Sequence, residues 1–337
     1  MESYNSPFSL IRKDPLSSMK VLVFGSKGWI GGQFVKVLNK AKVLYVEATS
    51  RADDYESVKN EMKEVRPTHV ISFIGRTHGQ IDGKEYTTID YLEQEGKLVE
   101  NMRDNLMAPV VLTYTCSEMG IHYTYLGTGC IFKFDEEHPF GKEENGFDEE
   151  AKPNFFGSSY SIVKGFTDKL LHMMEEPSTL NLRIRMPITD EENKRNFITK
   201  IATYEKVCSI PNSMTVLPEM LPIVLDMMRQ GEVGTINLTN PGLISHNEIL
   251  EMYKEFVDPD FTWKNFSAEE QRAILAADRS NNYLDTTKLQ QLYPFVKNIK
   301  DAVCECLKNF KKEKKDVSKV ADDDKDSDIE VEVIVGP

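Results

Sequence analysis

Short, uniformly apolar runs alternate along the chain with longer stretches in which apolar residues recur every three or four positions. The first run, Lys20–Gly25, has no polar alternation, which is typical of a strand buried on both faces of a parallel sheet. Strands that alternate with helices in this way predict right-handed βαβ units and a doubly wound sheet. The predicted strands are Lys20–Gly25, Val43–Val46, His69–Ile74, His122–Leu126 and Leu180–Met186. The predicted helices are Trp29–Asn39, Asp54–Val65, Asp90–Met119 and Ser161–Met174.

The pattern weakens after Pro187. A strand at Thr235–Leu238 and helices at His246–Phe256 and Ala268–Ala277 predict a smaller lobe at the carboxyl edge of the sheet. From Lys311 the chain is dense in charge, which predicts a solvated, disordered tail. Its final apolar letters, VEVIV, are equally compatible with a strand.

Composition and charge exclude several classes of protein. The 337 residues carry 41 Lys and Arg against 54 Asp and Glu, a net charge of −13, whereas a nucleic-acid binder needs a concentrated basic face. Nearly half of this excess lies in Asp316–Pro337, which holds eight acids and two lysines. No apolar run reaches the ~18 residues of a membrane span, and the N-terminus lacks the apolar core of a secretory signal. Five cysteines without a CxxC pair favour a reducing compartment, the cytoplasm, and predict neither disulfides nor a metal site.

A glycine-rich turn follows the first strand directly. Gly25, Gly28 and Gly31 have the spacing GxxGxxG, and the first predicted helix opens inside it. Glycine permits the tight turn and lets backbone N–H groups approach a pyrophosphate, while the helix N-terminus supplies positive potential. A turn chosen for packing would also use glycine, but its place between a buried strand and a helix favours nucleotide binding. The residues predicted to bind a dinucleotide cofactor are Gly25, Lys27, Gly28, Trp29, Ile30, Gly31 and, after the third strand, Gly75.

The end of the second strand bears on which dinucleotide binds. Glu47 lies where an acidic residue would hold the adenosine ribose hydroxyls of NAD. Lys27 and Arg51 lie near the same position and would favour a ribose 2′-phosphate, although each is equally compatible with a solvated surface side chain. We therefore expect NADP(H) as the preferred cofactor, with NAD(H) as the alternative.

These patterns predict an α/β protein, a Rossmann-type doubly wound parallel sheet with a smaller C-terminal substrate-binding lobe. The predicted divisions are a loose leader (1–19), an NAD(P)-binding Rossmann domain (20–187), a mainly substrate-binding lobe (188–310) and the charged tail (311–337).

Tyr160 and Lys164 form a YxxxK pair, which places both side chains on one face of a helix. A phenol has an ordinary pKa of about 10, and an ammonium one turn away would lower it and make the phenol a usable acid for a carbonyl oxygen. The same spacing occurs on solvated helical faces. Its position after four βαβ steps favours a catalytic role here.

Together with Thr128 at the end of the fourth strand, these features resemble an extended short-chain dehydrogenase/reductase. Six further segments make the chain similar to the bifunctional UDP-4-keto-6-deoxy-glucose 3,5-epimerase/4-reductases that make UDP-L-rhamnose, which are related to dTDP-4-dehydrorhamnose reductases. These segments are Gly127–Phe132 (GTGCIF), Arg183–Pro187 (RIRMP), Arg195–Lys200 (RNFITK), Ile210–Met214 (IPNSM), Asn240–Asn247 (NPGLISHN) and Phe261–Phe266 (FTWKNF). The resemblance runs from about Met19 to Asn309. The stretch Gly79–Lys97 departs from the family pattern, and the tail is unmatched.

The resemblance implies two sets of catalytic residues. Thr128 would bond the C4 carbonyl, Tyr160 would donate its proton, and Lys164 would lower the pKa of Tyr160 and bind the nicotinamide ribose. Cys130 and Lys200 would be the acid–base groups on opposite faces of the sugar for epimerisation at C3 and C5, although a buried thiol and a surface charge are their commoner roles. For substrate binding the resemblance points to Thr128, Cys130, Arg195, Asn196, Asn212 and Arg279.

Two further polar residues have simpler interpretations. Asn105 either supports the lysine through a water molecule or has a capping or surface role, and His246 follows Ser245 as an early residue of a helix.

The expected reaction is epimerisation at C3 and C5 followed by NADPH-dependent reduction at C4, in a homodimer, on a substrate made upstream by a UDP-glucose 4,6-dehydratase. One alternative is a dTDP-4-dehydrorhamnose reductase, and another is a non-catalytic nucleotide-sensing subunit on the same fold. A 4,6-dehydratase is disfavoured, because elimination needs acids beside the threonine where this chain has Gly129 and Cys130.

Overall fold

The computed structural model describes residues 18–174 and 178–310. The predicted tail and all but the last two residues of the predicted leader lie outside these ranges. The strands are β1 (Lys20–Phe24), β2 (Leu44–Glu47), β3 (His69–Ser72), β4 (Gly79–Ile81), β5 (Lys84–Tyr86), β6 (His122–Thr128), β7 (Thr179–Ile184), β8 (Pro187–Ile188), β9 (Lys206–Val207), β10 (Thr215–Val216), β11 (Gly234–Asn237) and β12 (Lys264–Asn265). The α-helices are α1 (Trp29–Ala41), α2 (Tyr55–Val65), α3 (Leu98–Met102), α4 (Ala108–Met119), α5 (Ser159–Met173), α6 (Phe197–Thr203), α7 (Leu217–Gln230), α8 (His246–Phe256), α9 (Ala268–Arg272), α10 (Thr287–Leu292) and α11 (Ile299–Lys308).

Six strands form a parallel sheet in the order β2-β1-β3-β6-β7-β11. The chain leaves β1 to form β2 on one side and then returns to β3 on the other side of β1. Open α/β sheets bind ligands in the crevice beyond the carboxyl ends of the strands where the order reverses in this way. The glycine turn lies at this crevice, because it follows β1 directly. The predicted fold class is therefore confirmed.

Helices cover both faces of the sheet. Helices α1 and α7 pack on one face through side chains such as Phe34 and Met220, and α2 and α4 pack on the other through Met62 and Leu112. A separate cluster around Ile198 joins α6, α8 and α11 into a smaller lobe. None of the helices in the described ranges combines the length and the apolar character that crossing a bilayer requires.

Several predicted elements differ from the observed ones. Strand β11, expected in the lobe, pairs with β7 in the main sheet, because its buried side chains extend the same apolar layer. The helix expected to reach Ala277 ends at Arg272. Met19, assigned to the loose leader, is 1% exposed and packs in the core beside α1. The division of the chain at residue 187 stays a prediction.

The predicted helix Asp90–Met119 is wrong in its first part. Residues Ile89–Glu93 form a 3₁₀ helix, and Gly96 then turns the chain with φ of +76°, a left-handed conformation that interrupts an α-helix. The helix proper begins at Leu98 and contains one π-helical turn, Arg103–Met107.

Candidate active site

The glycine turn has the geometry of a dinucleotide cradle. Gly25 has φ of +77°, and the Gly28 N–H donates to its carbonyl oxygen at 3.0 Å. A Cβ on Gly31 would overlap that same oxygen, so the residue has to be glycine for α1 to pack against the turn. No side chain of the described residues caps α1 at Gly28, which leaves its first backbone N–H groups to an anion. The turn therefore fits a pyrophosphate.

The residues expected at the adenosine ribose lie at the neighbouring strand end. The Ser26 hydroxyl donates to the Glu47 carboxylate at 2.7 Å, which ties the acid to the glycine turn. Arg51 pairs with Asp53 at 2.7 Å and is largely exposed, as is Lys27. One acid and two cations are thus available at this edge of the sheet.

Thr128, Cys130 and Tyr160 come together where β6 ends and α5 begins. Thr128 is the last residue of β6, and its hydroxyl accepts the Cys130 N–H at 3.0 Å and bonds the Tyr160 phenol. Ser158 caps α5 by accepting the Ser161 N–H at 3.0 Å. Glu93 accepts the Ser159 N–H at 2.7 Å, so a carboxylate also meets the N-terminus of the helix that carries Tyr160.

Lys164 has a hydrogen-bond partner that the YxxxK pattern does not indicate. Its ammonium is buried and donates to the hydroxyl of Tyr125, a residue of β6. Burial lowers the pKa of Lys164 to about 8, although Asp168, one helical turn away, and Cys130 oppose this shift. Burial and the nearby Cys130 sulfur raise the pKa of Tyr160, and the hydrogen bond with Thr128 opposes them.

A second group gathers cations from the smaller lobe. Lys200, on α6, has its pKa lowered to about 8 by burial and by the neighbouring Arg195 and Arg279. The Arg195 guanidinium hydrogen-bonds the His78 ring, and burial together with Arg195 lowers the pKa of His78 to about 4. The imidazole is therefore neutral at physiological pH. Charges concentrated in this way favour an anionic ligand.

The segment that departs from the family pattern lies against these cations. Strands β4 and β5 form a hairpin, and its Glu85 pairs with Lys194 at 2.6 Å. The Thr87 carbonyl accepts from the Lys200 ammonium at 3.3 Å. Asp90 binds the Arg279 guanidinium at 2.6 Å. Because Asp90 and Glu93 belong to one 3₁₀ helix, this segment links the cation group to the N-terminus of α5.

Two residues expected to bind substrate have structural roles instead. Asn196 caps α6, and its amide also bonds the backbone of Thr189 and Glu191. Asn212 accepts from Arg185 at 2.7 Å and from the Asn282 N–H at 3.0 Å, and its own NH₂ group also donates twice. Both side chains are fully buried and use their polar atoms within the protein.

The structure also shows the positions of Asn105 and His246, the two polar residues with simpler interpretations. Asn105 lies in the π-helical turn and bonds both backbone groups of Arg76 at 2.9 Å, which closes the loop after β3 beside Gly75. His246 is the first residue of α8, whose N-cap is Ser245.

A cavity of about 430 Å³ opens beside Arg279. Phe155 and Phe156 contribute aromatic surface, and Asp278 and Asn281 contribute polar groups. The Nε atom of Arg279 is buried and has no hydrogen-bond partner within the described part of the chain. A buried donor of this kind is usually satisfied by a partner, which here points to a polar ligand.

Four residues near the site were not predicted from the sequence: Tyr125, His78, Asp90 and Arg185. Each hydrogen-bonds a predicted site residue, yet none belongs to a spacing pattern. Two of them lie in segments that the sequence had already singled out: Arg185 in the RIRMP segment and Asp90 in the divergent stretch Gly79–Lys97.

The glycine turn between β1 and α1, together with Thr128 at the end of β6 and Tyr160 and Lys164 on α5, is the arrangement of an extended short-chain dehydrogenase/reductase. No protein-family model matches the chain. Over 87% of its length the chain is 55% identical to protein L780 of Acanthamoeba polyphaga mimivirus and covers 99% of it. The crystal structure of L780, described as a UDP-rhamnose synthase, matches with a TM-score of 0.82.

Two more relatives bear on the family. The chain is 44% identical over 85% of its length to a bifunctional dTDP-4-dehydrorhamnose 3,5-epimerase/dTDP-4-dehydrorhamnose reductase of Arabidopsis thaliana, of which it covers 92%. A dTDP-4-dehydrorhamnose reductase of Clostridium acetobutylicum shares the fold, with a TM-score of 0.69 at 18% identity over 86% of this chain and 98% of that one. The chain belongs to the family of bifunctional nucleotide-sugar 3,5-epimerase/4-reductases, and the resemblance seen in the sequence is confirmed.

Proposed function

We propose that this protein converts UDP-4-keto-6-deoxy-D-glucose to UDP-L-rhamnose, by epimerisation at C3 and C5 and then reduction at C4. The observation that carries the proposal is the juxtaposition of Cys130 with Thr128 and Tyr160, beside a lobe that holds Lys200 with its pKa lowered to about 8. The 55% identity to a UDP-rhamnose synthase supports the same reaction and the uridine nucleotide. The Arabidopsis relative, named for the dTDP sugar, keeps dTDP as the alternative.

Epimerisation uses the acidity of carbons next to a ketone. Neutral Lys200 takes the proton from C3 or C5, and the electron pair moves into an enolate whose oxygen is held by Thr128 and Tyr160. The Cys130 thiol returns a proton to the same carbon from the opposite face. This step leaves Lys200 protonated and Cys130 as a thiolate. Exchange with solvent moves one proton from the ammonium to the thiolate and restores both groups.

Reduction uses the same oxygen at C4. When bound, a reduced nicotinamide supplies the hydride that C4 receives. Tyr160 donates its phenolic proton to the oxygen, and the Lys164 ammonium stabilises the phenolate that remains. Thr128 orients the carbonyl throughout, since the strand ladder of β6 and β7 holds its backbone.

The anionic groups of both ligands bind to positively charged groups that are concentrated near the site, although the chain as a whole carries a net negative charge. The turn Gly25–Gly31 and the N-terminus of α1 hold the cofactor pyrophosphate, and Arg51 with Lys27 binds the 2′-phosphate of NADP(H). Arg195 and Arg279 bind the diphosphate of the sugar nucleotide. The nucleoside occupies the cavity beside Arg279, where Phe155 offers an aromatic surface.

We also propose a homodimer. The solvent-facing side of α5 is apolar at helical spacing, and an exposed apolar face of this kind is typical of an interface. The exposed side chains are Ile162, Phe166, Leu170 and Met173, with Met107 and Tyr114 beside them. Phe166→Glu should convert the dimer to monomers in sedimentation velocity without loss of fold, and a monomeric parent protein would contradict the proposal.

The protein's place in metabolism follows from its substrate. A 4-keto-6-deoxy sugar arises by dehydration across C5 and C6, so a UDP-glucose 4,6-dehydratase has to act upstream. All five cysteines are free thiols, which suits the reducing cytoplasm.

The test is turnover of UDP-4-keto-6-deoxy-glucose and its dTDP analogue in parallel, with NADPH absorbance as the readout and NMR to identify the product. UDP-L-rhamnose with NADPH consumption is expected. Absence of oxidation with both sugars would support a nucleotide-sensing subunit instead.

A further inference from the structure

Arg185 is a buried arginine without an acidic partner. It is 1% exposed, and its guanidinium donates to Gly129 O at 3.0 Å, to Ser280 O at 2.9 Å and to the Asn212 side chain at 2.7 Å. No carboxylate in the described ranges pairs with it. Buried charges are normally paired. Arg183, two residues earlier and equally buried, follows that rule, because it pairs with Asp168 at 2.7 Å.

Arg185 is one of several side chains that hydrogen-bond the backbone around Cys130. Asn282 donates to Gly129 O at 2.9 Å and to Phe132 O at 3.0 Å, so one side chain holds a carbonyl before Cys130 and another two residues after it. Ser161, on α5, donates to the Cys130 carbonyl at 2.7 Å. The backbone after Gly129 is therefore fixed by these side chains and by the Asn154 and Phe155 N–H groups, which donate to Ile131 O at 3.1 and 3.0 Å, rather than by the main sheet.

Thr128 is fixed differently. It is the last residue of β6 in register with β7, opposite Ile184, and the ladder ends with the bond from Gly129 N to Ile184 O at 2.9 Å. Cys130 lies beyond that last bond. Loss of the Arg185 contacts should therefore disturb Cys130 more than Thr128.

We propose that Arg185 is a positioning residue for Cys130: its guanidinium holds the Gly129 peptide and places an uncompensated positive charge beside the thiol. This inference rests on the proposed epimerase role of Cys130. When the thiol gives its proton to the sugar carbon, the thiolate that remains is offset by Arg185. Burial lowers the pKa of Arg185, and the nearby Cys130 sulfur is the ionisable group that opposes this shift.

The test separates the two half-reactions in Arg185→Lys and Arg185→Met, with Arg183→Lys as the matched control for disturbance of a buried arginine. Epimerisation is measured as deuterium uptake at C3 and C5 without NADPH. Reduction is measured as NADPH oxidation with sugar that is already epimerised.

Arg185→Met should lower deuterium uptake by about 100-fold, the effect of misplacing a reacting group by about 1 Å, and leave reduction near the parent rate. Arg185→Lys should recover part of the loss, because it restores the charge but not the planar fork. Arg183→Lys should not change the ratio of the two rates.

A second measurement needs no turnover. The rate at which iodoacetamide alkylates Cys130 at neutral pH, followed by mass spectrometry of its peptide, should fall several-fold in Arg185→Met and much less in Arg185→Lys. If Arg185→Met does not fold, the rate of Cys130 alkylation in Arg185→Lys and Asn282→Ala is compared with that of the parent protein instead.

Equal losses of both half-reactions, or unchanged alkylation in Arg185→Met, would reduce Arg185 to a structural residue and overturn the inference. A parent protein without deuterium uptake would instead refute the proposed function, and the alkylation result would still report on Arg185.

Discussion

The Lys164 ammonium donates a hydrogen bond to the Tyr125 hydroxyl and lies 4.6 Å from the centroid of the Tyr125 ring. A buried ammonium is thus stabilised by a neutral phenol from the sheet, one turn of helix from Tyr160. The proposed reduction requires Lys164 to be charged, and its pKa, which burial lowers to about 8, makes that charge sensitive to its immediate partners.

Tyr125→Phe should therefore change the pH dependence of reduction. The ring remains, but the hydrogen-bond acceptor is lost, so the pKa of Lys164 falls further. Because a hydrogen bond to a charged group is worth about 1.5–3 kcal/mol, we expect the alkaline fall in the reduction rate to move to lower pH by about one unit or more. The measurement is kcat for NADPH oxidation between pH 6 and 9.

Tyr123→Phe is the control for that experiment, since Tyr123 is equally buried on the same strand and its phenol does not bond the lysine. Identical pH profiles for the parent protein and Tyr125→Phe would show that Tyr125 does not support the ammonium.

The two half-reactions should respond to pH in opposite directions. In the proposed mechanism Lys200 acts as a neutral base with its pKa lowered to about 8, so deuterium uptake should rise as pH increases through that value. In the same mechanism Lys164 acts as a cation with its pKa lowered to about 8, so reduction should fall over the same interval. Measuring both rates from pH 6.5 to 9 checks this. Parallel profiles would mean that at least one lysine has a different role.

Asp90→Asn should lower the free energy of unfolding by about 1.5–3 kcal/mol, the range for hydrogen bonds to charged groups. Burial raises the pKa of Asp90, but Arg279, the Thr88 hydroxyl and the Ala277 N–H together hold it below its ordinary value. The stabilisation is therefore present above the pKa of the unfolded chain, about 3.9, and is lost as pH falls through the lower folded value.

Urea unfolding of Asp90→Asn at pH 7 and near pH 3 tests this, with a difference from the parent protein that narrows in acid. Glu85→Gln is the control, because the Glu85–Lys194 pair is exposed and should contribute nothing measurable. A loss as large in Glu85→Gln would mean that the whole hairpin, and not the buried pair, had been disturbed.

Arg51→Ala should raise KM for NADPH by about 10- to 100-fold, the equivalent of one charge-assisted hydrogen bond, and leave KM for NADH nearly unchanged. Asp53→Asn removes the partner that Arg51 has in the structure and should not weaken NADPH binding. Equal losses with both cofactors in Arg51→Ala would place the 2′-phosphate elsewhere.

Local signals predicted most of the fold. The apolar runs and the glycine spacing located β1 and α1 because a buried parallel strand and its turn restrict residue type over a few neighbouring positions. The break at Gly96 escaped prediction, because the 3₁₀ helix before it is held by Asp90 and Glu93 through partners that lie far away in sequence. The strand at Gly234–Asn237 was recognised but misplaced, since apolar periodicity does not state which strand it will pair with.

The residues of the candidate site divide in the same way, into those that local sequence indicates and those that depend on distant partners. The YxxxK spacing singled out Tyr160 and Lys164, and the family resemblance singled out Thr128. The support of the Cys130 peptide by Arg185 and Asn282, in contrast, joins segments more than 50 residues apart. Asn196 and Asn212 were expected to face the substrate, because sequence shows which polar groups exist but not how many of their hydrogen bonds are already made.

One measurement tests the central claim, that a single site epimerises and then reduces. UDP-4-keto-6-deoxy-glucose is incubated with the protein and NADPH in D₂O, and the product is examined by NMR. We predict UDP-L-rhamnose that carries deuterium at C3 and C5 and protium from NADPH at C4. Cys130→Ala should abolish the deuterium at one or both carbons, and Tyr160→Phe should retain exchange but block reduction. A reduced product with the D-gluco configuration and no deuterium at C3 or C5 would contradict the account.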